Sequence, residues 1–108
     1  MRELHTFKHY FREFYNSLTG EDQEKIDYAL LLLKTQNRIS TKFVKHLEEG
    51  IYELRAESKN NNYRVLFIFD EGNIVLLLNG LQKKTRKTPR RAIKLAIRLR
   101  KEYYESKQ

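Results

Sequence analysis

Five apolar residues in succession, Ile74 to Leu78, constrain this chain more than any other stretch. Side chains of a strand alternate between its two sides, so an unbroken apolar run needs cover on both faces and belongs in the middle of a sheet. A strand over Ile74 to Leu81 follows from it. The EGN turn at Glu71 to Asn73 joins this strand to an aromatic and β-branched run, Tyr63 to Phe69, and the polar stretch Ser58 to Asn62 makes a hairpin connection back to Ile51 to Glu57. Alternation in that earliest strand turns Tyr52, Leu54 and Ala56 to one side and leaves Glu53, Arg55 and Glu57 on the other. Arg64 interrupts the apolar pattern of its strand. A charge there must reach solvent or serve a pocket, because burying it unpaired is costly.

Helices flank these strands. Glu3 to Phe7 reads as a short strand, after which Phe7, Tyr10, Phe11, Phe14 and Tyr15 recur at helical spacing and Asn16 to Gly20 ends the helix. Lys8, His9 and Arg12 lie among these rings, but the spacing favours a core face over a base-stacking platform. Thr19 can cap a second helix with Glu21, Asp22 and Glu24 in its first turns and Ile26, Ala29, Leu30 and Leu33 as its buried stripe. The pair should form a hairpin lying on one face of the sheet. Thr35 to Lys42 is a polar connection, and Phe43 to Glu49 reads as a loop or short helical turn leading to Gly50. Thr88, as a cap before Pro89 at the first helical position, starts a last helix whose apolar stripe is Ile93, Ala96, Ile97 and Tyr104.

A chain of 108 residues has room for one core, so residues 1–108 are expected to form a single α+β domain. Cysteine is absent, which removes disulfides, thiolate metal sites and cysteine nucleophiles together. The longest apolar run is far too short to cross a bilayer and the first ten residues lack the apolar core of a signal peptide, so no membrane association is expected and the expected location is the cytoplasm.

The formal net charge is +8, and its placement matters more than its size. Between Gly72 and Lys101 there is no acidic residue, while ten lysines and arginines fall there, leaving twelve basic side chains against fourteen acidic in the rest of the chain. A positive field focused in this way attracts a polyanion such as RNA or DNA, although an acidic protein partner or a merely solubilising surface would fit the charge equally. Lys87, Arg90 and Arg91 crowd a helix start, where the dipole prefers negative charge, and clustered cations beside free N–H groups are suited to phosphate.

Metal-independent RNA cleavage must activate a ribose 2′-hydroxyl, stabilise extra negative charge on the adjacent phosphate and protonate the leaving 5′-oxygen. Guanidinium suits the second task because its planar fork donates two hydrogen bonds to phosphate oxygens. Arg55 and Arg64, on neighbouring strands, are candidates for it, with Lys83 and Lys84 completing a cationic cleft and Arg86, Lys87, Arg90 and Arg91 holding the RNA backbone. Exposed pairing of Arg55 with Glu53 or Glu57 is the structural alternative. His5, His9 and His46 show no convincing metal-ligand spacing, and no phosphate loop, serine elbow or dinucleotide fingerprint occurs, so neither metal nor cofactor is expected. The proton-transfer groups stay open among a lysine with a lowered pKa, Glu53 as base, and Tyr63.

Gly50 to Ala96, GIYELRAESKNNNYRVLFIFDEGNIVLLLNGLQKKTRKTPRRAIKLA, resembles the phage-derived, Gp49-like or HigB branch of the RelE/HigB-like toxins of type II toxin–antitoxin systems. The likeness lies in an ordered series: a G-hydrophobic-Y-E-L-R strand, a YRV strand, a strand ending in KK, and a TP-initiated helix. It implies a β-α-α-β-β-β fold in which an N-terminal helical hairpin packs on an antiparallel sheet, with a basic C-terminal helix. It further implies a ribosome-dependent messenger-RNA endonuclease that inhibits translation, neutralised by a HigA-like helix-turn-helix antitoxin and meeting operator DNA only through that complex. Arg55, Arg64, Lys83 and Lys84 take the catalytic positions, with Glu53 supporting Arg55. The alternative is a non-catalytic basic nucleic-acid-binding module or a regulatory partner. Family members usually carry an acidic residue four places after the TP threonine, where this chain has Ala92.

Overall fold

The computed structural model describes every residue from Met1 to Gln108. Its elements run β1 (Glu3–Thr6), α1 (Tyr10–Asn16), α2 (Gly20–Thr35), β2 (Val44–Glu48), β3 (Ile51–Glu57), β4 (Asn62–Phe69), β5 (Ile74–Lys83) and α3 (Arg90–Ser106). The strands form one sheet in the order β1-β5-β4-β3-β2. Short turns make the pairs from β2 to β5 antiparallel, whereas β1 reaches the sheet through α1 and α2 and runs parallel to β5. The chain is therefore α+β as expected, but its sheet is mixed rather than wholly antiparallel.

The apolar run of β5 is covered on both sides. Val75 and Leu77 join Leu54, Val65 and Phe67 in a core closed by Phe11 of α1 and by Ile26, Ala29 and Leu33 of α2. Leu76 and Leu78 join Ile51, Leu66 and Ile68 in a second core closed by Ala96 and Leu99 of α3. Each buried leucine or isoleucine contributes about 1.5–3 kcal/mol relative to exposure, so a helix on either face is a necessity of this strand's composition. Gly80 lets α1 approach, since a Cβ there would stand 2.2 Å from the Phe14 ring.

Thr19 caps α2 by accepting from the Asp22 amide at 3.3 Å, as read from the sequence. Several expectations need correction. Val44–Glu48 is an edge strand rather than a loop or helical turn, paired with β3 through a two-residue turn, Glu49 and Gly50, whose φ values are +48° and +75°. Paired positive φ values suit the right-handed twist of a hairpin. Phe7 lies before α1, not on its apolar face, because the chain bends at Lys8 (φ +59°), and its ring meets Tyr103 of α3 edge-on at 5.5 Å. In α3 the buried stripe is Ile93, Ala96 and Leu99, with Ile97 and Tyr104 half-buried.

A carboxylate fastens the far end of α3. Asp70, just past β4, accepts from the Tyr103 hydroxyl at 2.6 Å, the Tyr104 hydroxyl at 3.0 Å and Lys107 Nζ at 3.1 Å. The Tyr103 hydrogen bond, chief among these, holds the Asp70 carboxyl well below the usual range despite its burial. A depressed folded-state pKa contributes stability that is present above the unfolded value of about 4 and is lost as pH falls below it. Asp70→Asn should therefore cost about 1–3 kcal/mol at neutral pH, as expected for losing hydrogen bonds to a buried charge. Urea unfolding of both proteins at pH 7 and pH 3 checks this: the gap should narrow in acid, and an unchanged gap would contradict it.

Candidate active site

Antiparallel pairing sets Arg55 of β3 directly opposite Arg64 of β4, so both side chains leave the sheet on one face, the face covered farther along by α3. Two like charges in such a register repel. Glu53, two residues earlier on β3 and only 1% exposed, offsets that repulsion. Its Oε1 lies 3.5 Å from Arg55 Nε and 3.8 Å from Arg64 Nε, while its Oε2 accepts from the Thr88 hydroxyl at 2.5 Å. One carboxylate thus holds two guanidiniums with one oxygen and the approach to α3 with the other. Neither Nε closes a hydrogen bond, whereas Arg64 Nη1 donates to the Tyr63 carbonyl at 2.9 Å.

Arg64 is 6% exposed, and burial pushes its pKa down against the opposing pull of Glu53. Lys83, at the end of β5, sits half-buried on the same side and its pKa is also lowered, first by burial and then by Arg64, with Arg55 and Lys45 acting the same way. Lys45 stands across from Glu53 in the β2–β3 pairing. Four cations consequently surround one carboxylate. Local arrangements that carry such a cost are where functional sites are found, because a bound anion removes it.

Beside this cluster opens a cleft of about 550 Å³ lined by Lys45, Glu53 and Lys83 together with Arg86, Lys87 and Arg90 from the approach to α3. Arg90 reaches across to form an ion pair with Glu48 of β2. The sequence-derived residues therefore divide. Arg55, Arg64, Lys83 and Glu53 converge, and Arg86, Lys87 and Arg90 form the cleft's outer wall. Lys84 follows the strand, is exposed and does not line the cleft. Arg91 is exposed and faces a separate groove on the opposite flank of α3, as does Ala92, whose carbonyl accepts from Asn79 Nδ2 at 3.2 Å. Tyr63 is removed from the site altogether. It lies on the other face of the sheet, hydrogen-bonded to Asp22, and burial followed by that carboxylate raises its pKa to about 12.

Two members went unread in the sequence. The segment of Lys45 reads in sequence as a loop or short helical turn, whereas the Glu49-Gly50 hairpin turn folds it back as a strand and sets Lys45 opposite Glu53. The sequence reads Thr88 as a helix cap, yet Pro89 occupies the cap position without a side-chain hydrogen bond and the Thr88 hydroxyl goes to Glu53 instead. No three histidine, aspartate or glutamate side chains gather as a metal-holding group, and no helix is long and apolar enough to cross a membrane.

The model of the family described as phage derived protein Gp49-like (DUF891) matches residues 13–101, which takes in every element from α1 to α3 except their outer ends. No curated protein matches the chain. The match includes Glu53, Arg55, Arg64, Lys83 and Thr88, the residues that the fold draws together. The chain belongs to the Gp49-like phage-derived family, a family of RelE/HigB-like toxins.

Proposed function

We propose that this toxin is a metal-independent endoribonuclease that cuts messenger RNA on the ribosome and so halts translation. The observation that carries the reading is the pairing of Arg55 and Arg64 on Glu53 beside half-buried Lys83, at the edge of a cleft walled by further cations. In this reading the two guanidiniums hold the scissile phosphate, whose added negative charge they stabilise as the 2′-oxygen attacks phosphorus. Lys83, with its lowered pKa, takes the 2′-hydroxyl proton in its neutral form. The bond from phosphorus to the 5′-oxygen breaks, that oxygen takes a proton from water, and a 2′,3′-cyclic phosphate and a 5′-hydroxyl result. Glu53 keeps both arginines aimed, and Lys84, Arg86, Lys87 and Arg90 bind flanking phosphates. The ribosome supplies the strained RNA geometry that so small a cleft does not impose by itself. A helix-turn-helix antitoxin of the HigA type is the proposed neutralising partner.

Arg64→Lys keeps the charge but loses the planar fork. Cleavage of ribosome-bound messenger should fall by about 10²–10³-fold, the usual cost of removing one transition-state donor, while affinity for an uncleavable RNA changes only a few-fold. A wild-type protein that binds RNA but never cuts it, with or without ribosomes, would make it a binding module instead.

A second outcome concerns pH. If Lys83 is the base, the single-turnover rate should climb with pH and level off below the ordinary lysine value of 10.5, since burial and the neighbouring arginines lower its pKa. Lys83→Arg should abolish that limb. A rate profile that keeps the same limb in Lys83→Arg would assign the proton to another group.

A further inference from the structure

The largest cavity of the molecule is not the cleft beside Arg55 and Arg64. It is a groove of about 850 Å³ on the opposite flank of α3, between that helix, α1 and β5. Its floor is apolar, from the Tyr10 ring, Leu81 and Leu95, and its rim carries Arg90, Arg91, Lys94 and Arg98 with no acidic residue among the lining side chains. Tyr10 is held in place: His9 stacks on its ring at 4.3 Å, and its hydroxyl accepts from Arg98 Nη2 at 3.1 Å. Arg98 also faces Glu102 at 3.7 Å, whereas Lys94 makes no ion pair at all. Asn79, 4% exposed at the floor, has an Oδ1 without a partner.

We propose that this groove is a second track for single-stranded RNA, continuing around the start of α3 from the cleft beside Arg55 and Arg64. Three features favour RNA over an acidic peptide. The groove and the cleft share Arg90 and Pro89, so a strand leaving one enters the other. Arg91, Lys94 and Arg98 follow one face of α3 over about 10 Å, given a rise of about 1.5 Å per residue, a span that matches consecutive phosphates rather than a single carboxylate. Tyr10, with His9 stacked on one side of its ring, lines a cationic groove with a fixed aromatic surface, and such surfaces bind unpaired bases whatever their identity. The identity of the strand as RNA rests on the cleavage reading above; the existence of the track does not.

The test uses the full chain and a 2′-O-methyl oligoribonucleotide of about twelve nucleotides, within known single-strand site sizes, which binds but has no free 2′-hydroxyl to be cut. Affinity is measured by fluorescence anisotropy over a salt series. Replacing Arg91, Lys94 and Arg98 together by Gln should flatten the log affinity against log salt slope by about 2, at about 0.7 per lost phosphate contact. Lys94→Gln alone, at an exposed unpaired site that does not threaten folding, should flatten it by about 0.7. Tyr10→Phe should bind as wild type and Tyr10→Leu about tenfold more weakly, as expected from lost stacking. Unchanged slopes in both glutamine variants overturn the proposal, even if the wild type cuts RNA. So does a groove that instead binds an acidic amphipathic peptide while the RNA slope stays put. Flattened slopes in a protein that never cuts would uphold the track and reject the nuclease.

Discussion

A single buried carboxylate organises this molecule. Glu53 is almost wholly removed from solvent, which an isolated charge could not be without a large desolvation penalty. Its stability there depends on the two guanidiniums and the hydroxyl around it. Those partners come from three places in the chain: Arg55 on its own strand, Arg64 on the next, and Thr88 at the approach to α3. Whatever orients Glu53 therefore orients both arginines and the start of the basic helix together. Removing the carboxylate would leave two neighbouring positive charges, one of them buried, without a counter-charge, and such losses typically cost about 3–5 kcal/mol.

The same logic recurs at the opposite end of α3. Asp70 grips Tyr103, Tyr104 and Lys107, so the helix is tied to the sheet by a carboxylate near each terminus and by Ala96 and Leu99 between them. Apolar packing alone would let a three-residue stripe slide or roll over the sheet. Polar clamps at both ends fix its register and leave its charged flanks free on either side. Two cationic hollows are the geometric result, one against β2 and β3 and the other against α1 and β5.

How much of this was legible in the sequence depends on what each signal measures. Alternation in β3, the aromatic and β-branched run of β4 and the unbroken apolar run of β5 mark these strands almost to the residue, and short turns leave neighbouring strands little choice of register, which sets Arg55 and Arg64 on one side. β2 was not legible. Its VKHLE carries one apolar residue on each face, and it becomes a strand because β3 offers an unpaired edge and the Glu49-Gly50 turn folds it back. The parallel direction of β1 was equally hidden, since no short turn sets it. Tyr63 and Thr88 show a different limit: both are adjacent in sequence to site residues, and only alternation and a long-range hydrogen bond decide that one turns away and the other turns in.

The charge balance of the cleft connects fold to ligand. Lys45, Arg55, Arg64 and Lys83 face one carboxylate, and burial already weakens the proton affinity of Arg64 and Lys83. The cluster is therefore under electrostatic stress, which Glu57 relieves at Arg64 without cancelling the effect of burial, and the segment from Gly72 to Lys101 adds no acidic side chain. An anion entering the cleft would supply the missing negative charge, and anything that binds the folded state alone stabilises it by mass action. Repulsion confined to one rim, instead of spread over the surface, leaves the two apolar cores to hold the fold while the rim stays poised for a polyanion.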